Sequence, residues 1–210
     1  MSLLLGDDPN EPFDYNEDYE EFYDDSDGGT ETLSWISWFC SYSGHEYFCE
    51  VAEEYIEDEF NLTGLRQMVP HYNYALETIL DLEEDVDEES PELPDMQEVE
   101  ASAERLYGLI HARYIISRQG LQQMAEKYIN GHFGSCPRYM CKNTYTVPCG
   151  TTNAVGLDSV KLFCPNCKDI YAPASTRFNT VDGAYFGTTF PHMFFMSFPE
   201  YGMMDITQER

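Results

Sequence analysis

Positive charge is what this chain has least of: 11 Lys and Arg stand against 39 Asp and Glu in 210 residues, for a formal net charge of −28. Nucleic-acid binders draw most of their affinity from Lys and Arg neutralising phosphates, so the composition disfavours DNA or RNA and favours polycations as partners. Long apolar runs are also missing. Nothing approaches the roughly 18 residues of a membrane span. The opening Met-Ser-Leu-Leu-Leu-Gly-Asp-Asp lacks the basic region and apolar length of a secretory signal, so a cytoplasmic and nuclear location is expected. Catalytic signatures are absent too. There is no His-Glu-x-x-His, no phosphate-cradling glycine-rich loop and no nucleophile–base pair; Asp182-Gly183 is not a kinase Asp-Phe-Gly, and no His-Arg-Asp occurs. The chain reads as a non-enzyme.

Cysteine is what is there. Cys136-Pro-Arg-Tyr-Met-Cys141 and Cys164-Pro-Asn-Cys167 are two close pairs separated by 22 residues. Pairs that return quickly along the chain can aim four sulfurs at one point, and a proline after the first cysteine of each favours the tight turn a zinc knuckle needs. The competing readings are two disulfides or unconnected thiols, and the total of seven cysteines leaves one unpaired in any all-disulfide scheme. Four thiolates leave no coordination place for water, so Zn2+ here is expected to be structural. Cys40, Cys49 and Cys149 are expected to be ordinary thiols.

The charge divides the chain. Residues 1–103 hold 31 acids and one base, Arg66, whereas residues 104–210 hold eight acids and ten bases. Residues 1–31, with twelve acids and no base, read as a disordered acidic tail. A helical domain is expected over 32–131. In it Ser34 caps a short helix with Trp35, Trp38 and Phe39 on one face, and another helix begins just past Pro70. Residues 83–100, with ten acids, Pro91 and Pro94, read as an exposed acidic loop. Val99, Ala103, Leu106, Ile110 and Tyr114 recur at three- and four-residue steps, predicting an amphipathic helix over about 96–116, and a further helix follows over about 121–128. His111 on the long helix reads as a hydrogen-bonded structural residue.

From residue 132 the pattern turns β-like, with short strands expected at 145–147, 160–163 and 170–172. Residues 132–198 read as a zinc-ribbon domain and 199–210 as a short tail. The fold class is α+β: a mostly helical N-terminal part followed by a small antiparallel zinc ribbon. A ribbon of about 60 residues is too small to cover Phe190, Met193, Phe194, Phe195, Met196 and Phe198, so these must pack on the helical part or on another subunit. Two other function classes fit the cysteines alone, a zinc-ribbon nucleic-acid or transcription module and a rubredoxin-like electron carrier.

The order of segments is more specific. Ser34-Trp-Ile-Ser-Trp-Phe-Cys40, Phe60-Asn-Leu-Thr-Gly-Leu65, Val69-Pro-His-Tyr72, Ile79-Leu-Asp-Leu-Glu83, Leu106-Tyr-Gly-Leu-Ile-His-Ala-Arg-Tyr-Ile115, the four cysteines, Asp182-Gly-Ala-Tyr-Phe-Gly187 and Phe190-Pro-His192 follow one another. Across about residues 34–201 the chain resembles the regulatory beta subunits of casein kinase II. The resemblance implies a non-catalytic scaffold whose zinc ribbon pairs two subunits, as a homodimer or with a related beta subunit. That dimer would hold catalytic alpha subunits and shape their choice of substrate. It implies Cys136, Cys141, Cys164 and Cys167 as zinc ligands. It places Glu83, Glu84, Asp85, Asp87, Glu88 and Glu89 in a loop for polyamines and basic proteins, and it makes Tyr185, Phe186, Phe190 and Phe194 candidates for the dimer interface. Two departures stand out. The family carries, beyond Phe-Pro-His, an aromatic hairpin that inserts into the catalytic subunit, and residues 198–210 show no equivalent. The expectation is a truncated form or a paralogue that dimerises but docks the kinase weakly. The serines that the family's own kinase phosphorylates near the N-terminus also have no counterpart. Asp and Glu over residues 7–27 are expected to supply that charge permanently.

Overall fold

Ser34 opens the first element as the sequence predicts, its hydroxyl accepting from the Ser37 N–H at 3.2 Å to start helix α1, Trp35–Ser41. The computed structural model describes residues 33–82 and 94–202. The predicted apolar face of α1 needs one correction. Trp35 and Phe39 are buried and stacked on each other, but Trp38 is 42% exposed, and Ile36 takes the inward place. The carboxylate of Asp81 accepts from the Trp35 N–H, tying the start of α1 to the end of α3, Tyr72–Ile79, which begins two residues past Pro70. A short helix α2, Glu53–Glu57, lies between them in sequence.

The long periodic stretch forms α4, Met96–Tyr114, capped by Asp95. Ala103, Leu106, Tyr107, Ile110 and Tyr114 are its buried stripe. Residues 96–100, expected at the end of the acidic loop, are the first turns of this helix. Ser117 then caps α5, Arg118–Ile129. The α4–α5 corner is so tight that a Cβ on Gly120 would strike the carbonyl of Tyr114. No helix among the described residues is long and apolar enough to cross a membrane.

A three-stranded antiparallel sheet follows, β1 Val147–Cys149, β2 Lys161–Cys164 and β3 Asp169–Tyr171. Its register pairs Val147 with Phe163 and Leu162 with Tyr171. These strands lie within two residues of the predicted ones, which is the usual uncertainty of element ends. The apolar run after residue 189 is helical, as α6, Phe190–Ser197, and α7, Pro199–Gly202. Phe194 of α6 packs on Tyr128 of α5, with ring centroids 5.3 Å apart, and Val147 of β1 belongs to the same buried cluster.

One apolar cluster therefore runs from α1 to α6, through Phe48, Tyr107, Phe186 and Phe190. His111 sits in it with no exposed surface. A carbonyl can only accept, so the 2.8 Å contact from Nδ1 to the Tyr185 oxygen places the proton on Nδ1, and Nε2 then accepts from the Cys49 N–H at 3.2 Å. Burial holds its pKa down at about 4, so the ring is neutral. Its place is structural: it stitches α4 to the Asp182–Gly187 turn and to residue 49.

Candidate metal centre

Two turns of different build bring the four cysteines together. In the first, Cys136 lies beside the isolated bridge between Ser135 and Tyr145, and its N–H donates to the Thr144 carbonyl at 2.8 Å. The chain then curls through the 3-10 turn Tyr139–Cys141. In the second, Cys164 ends β2 and Cys167 sits in the turn to β3, closed by the Lys168 N–H donating to the Cys164 carbonyl at 2.9 Å. Each second cysteine is followed by a lysine in the left-handed region, Lys142 at φ 48° and Lys168 at φ 58°. That conformation costs an L-residue roughly 1–2 kcal/mol. It lets each turn fold back sharply, and it sets a cationic residue in sequence beside each sulfur pair.

The sulfurs of Cys136, Cys141, Cys164 and Cys167 all lie within 4.8 Å of one another, with Cys136–Cys167 and Cys141–Cys164 both at 3.9 Å. A tetrahedron with metal–sulfur bonds of about 2.3 Å has edges of about 3.8 Å, so the constellation fits a four-thiolate metal site with little adjustment. A single disulfide pair would need sulfurs at about 2.05 Å, and all seven cysteines are free. Burial pushes the Cys164 thiol up to about 12. At Cys167 burial also pushes upward, but hydrogen bonds from the Tyr171 hydroxyl and the Asp169 backbone outweigh it and bring the thiol down to about 7. Burial at Cys164 and hydrogen bonding at Cys167 thus act on the two sulfurs in opposite directions.

The sulfur cluster and Tyr171 form a small packed unit of their own. Sequence pattern alone does not single out Tyr171, yet its hydroxyl stands 3.2 Å from Cys167 Sγ. The one available signal is its position four residues past the last cysteine. Cys149 is not part of the cluster. It is buried at the end of β1, where burial raises its thiol to about 11; Cys40 rises to about 11 and Cys49 to about 12 for the same reason.

The candidates for the dimer interface are largely covered within the single chain. Phe186, Phe190 and Phe194 have no exposed surface within the single chain, and Tyr185 is half-buried. Phe186 packs on Phe48 and His111, and Phe194 on Tyr128, because α4 and α5 together offer enough apolar surface to cover the run. Gly108 makes the joint possible, since a Cβ there would run into the Tyr185 ring. These residues join the sheet to the helices within one subunit. The apolar side chains left exposed near the sulfurs are Tyr139 at 93%, Met140 at 78% and Ile170. An apolar groove of about 530 Å³ lies nearby, lined by Phe163, Pro165, Ile170, Pro191, Phe195 and Met196 among others. The polycation candidates Glu83, Glu84, Asp85, Asp87, Glu88 and Glu89, and the acidic tail, lie outside the described residues.

Comparison with known proteins agrees with the segment order. Subunit beta-2 of casein kinase II from Schizosaccharomyces pombe is 52% identical over 200 residues, covering 94% of this chain and 78% of that protein. Subunit beta of the same organism is 48% identical over 192 residues, 90% of this chain and 80% of its own length. Subunit beta' of Drosophila melanogaster is 51% identical over 167 residues, 80% and 75% respectively. The family model described as casein kinase II regulatory subunit matches residues 34–209, nearly everything after the acidic tail. The chain belongs to the casein kinase II regulatory subunit family, whose members are regulatory and not catalytic.

Proposed function

We propose that this chain is a regulatory subunit that pairs through a zinc ribbon and, as a pair, holds and directs casein kinase II catalytic subunits. The observation that carries the reading is the convergence of four cysteine sulfurs within 4.8 Å in a member of this family. Cys136, Cys141, Cys164 and Cys167 would hold one Zn2+, and a full thiolate set makes that ion a clamp on the two turns. The pairing face is the metal-bearing end. Exposed Tyr139 and Met140 on the first turn and the apolar groove beside the second are complementary in character. A two-fold axis makes each copy supply both, tip into groove and groove around tip. The partner is a second copy or a related beta subunit.

Acids of the segment at Glu83, Glu84, Asp85, Asp87, Glu88 and Glu89 would draw polyamines and basic substrates toward the bound kinase. Closely spaced carboxylates raise the local potential by several kT, and that attraction weakens as salt rises. The same charge balance argues against the alternative of a nucleic-acid module.

Light scattering on the metal-loaded chain, with and without the purified catalytic subunit, tests this. The expected mass alone is twice 24.2 kDa, and the joint substitution Tyr139→Asp with Met140→Asp gives a monomer that keeps its zinc. A native chain that runs as a monomer at micromolar concentration sinks the pairing. A dimer that retains catalytic subunit supports the scaffold, and a dimer that does not is a dimerising modulator only.

A further inference from the structure

Three of the four sulfurs are shielded by the chain: Cys136, Cys141 and Cys164 are at most 3% exposed. Cys167 is the exception, half-buried in the β2–β3 turn between exposed Asn166 and Lys168. A metal-bound thiolate there meets water, competing chelators and electrophiles before the others do. The side chain placed against it is Tyr171, whose hydroxyl is 3.2 Å from Cys167 Sγ. Antiparallel pairing of Leu162 with Tyr171 puts this residue on β3, one strand from Cys164, and its ring packs on the sulfur cluster. The Asp169 carboxylate, two residues earlier, makes a 3.6 Å ion pair with Arg138 of the first turn, a contact between half-exposed groups that adds little energy but crosses from one turn to the other.

We infer that Tyr171 is a positioning residue for the metal, its hydroxyl holding the half-buried Cys167 thiolate on the ion and slowing release at that corner. This rests on the zinc reading above. A thiolate on a metal carries no proton, so in this contact the phenol must be the donor and the sulfur the acceptor. Donation onto the sulfur draws off lone-pair density, which makes the thiolate a poorer nucleophile and a poorer proton acceptor while leaving it bound. The bond also fixes the direction in which the turn presents its sulfur. Hydrogen-bond partners of metal ligands typically change metal affinity 10–100-fold when removed, and the exposure of this site points to the lower end.

The test compares the whole 210-residue chain with its Tyr171→Phe variant, which keeps the ring in the sulfur cluster and removes only the donor. Zinc transfer to a chelating dye is followed in time, and the order of cysteine carbamidomethylation is mapped by mass spectrometry. In that reaction each sulfur displaces iodide from iodoacetamide. Tyr171→Phe is expected to transfer zinc about tenfold faster, with Cys167 modified first and its rate rising more than that of the other three. In the cobalt-loaded proteins the sulfur-to-metal charge-transfer band moves to lower energy in the variant, because the undonated sulfur holds its electrons less tightly. A structural role alone would not move that band. Should Tyr171→Phe fold poorly, 3-fluorotyrosine at position 171, a more acidic donor of nearly the same size, must shift both readouts the opposite way. A native chain that binds no zinc overturns the metal reading and this inference together. A native chain that binds one zinc, with unchanged transfer rate and cobalt band in both variants, overturns the role of Tyr171 alone.

Discussion

The helical region and the sheet that follows it are held by different forces. Helices α1 to α5 share a broad aromatic core, with Trp35, Phe39, Phe48, Tyr107 and Tyr114 almost wholly buried, and helix ends closed by Ser34, Asp95 and Ser117. The sheet has strands of three or four residues, and at the metal-bearing end its interior is sulfur and one tyrosine. Strands that short cannot bury enough to hold themselves, and two lysines in left-handed turns add to the cost. The contrast separates two ways of specifying structure. Periodic apolar residues specify the first region, whereas the second brings four sulfurs together on short strands backed by α6, and under the proposed zinc reading it draws its stability from the ion.

The substitution that should separate the two regions most is Cys164→Ser. In small zinc domains the ion contributes roughly 10–16 kcal/mol, much of it coupled to folding. Losing even about 5 kcal/mol of that lowers the melting temperature of a chain this size by about 10–20 °C. Differential scanning calorimetry of the zinc-loaded proteins checks the shift. A variant melting within about 2–3 °C of the native chain would mean that the sheet stands without its clamp.

A smaller effect belongs to the apolar core around α4, where His111 joins the helix to the Asp182–Gly187 turn. The folded state holds the buried His111 neutral with a pKa near 4, against an ordinary value of 6.5. The unfolded chain takes up a proton there as pH falls below about 6.5, so the contribution is full above that pH and is lost progressively down to about pH 4. The total is about 3 kcal/mol. Urea unfolding of the zinc-free chain, followed by tryptophan fluorescence, should show stability falling between about pH 6.5 and 4.5 with a slope approaching one proton. A flat profile over that range contradicts a neutral, buried His111.

Legibility in the sequence follows the same divide. The stripe from Ala103 to Tyr114 and the Ser34 cap are readable because a helix repeats its face every 3.6 residues, and the four cysteines because their spacing is chemistry written in order. Trp38 is misplaced because the spacing gives a shared face but not its centre: burial centres on Trp35, Ile36 and Phe39, and at about 100° per residue Trp38 falls roughly 110° away from that centre. Phe186, Phe190 and Phe194 look like interface residues in sequence because the covering surface, Tyr128 on α5 and Phe48 before α2, lies far away along the chain and leaves no local trace. Gly108 is unremarkable in the sequence for the same reason: only the Tyr185 ring lying on it shows why a side chain is missing there. Tyr171 reads as one more strand aromatic until the sulfur beside it is seen.

Dependence of the sheet on a bound metal, with the helices independent of it, is open to direct measurement. Hydrogen exchange of the zinc-loaded chain, before and after removal of zinc with a strong chelator, addresses it directly. Amides of residues 136–171 are expected to lose protection on chelation while those of α4, Met96–Tyr114, keep theirs. Equal loss in both regions, or unchanged protection at Cys164 and its strand neighbours, would contradict it.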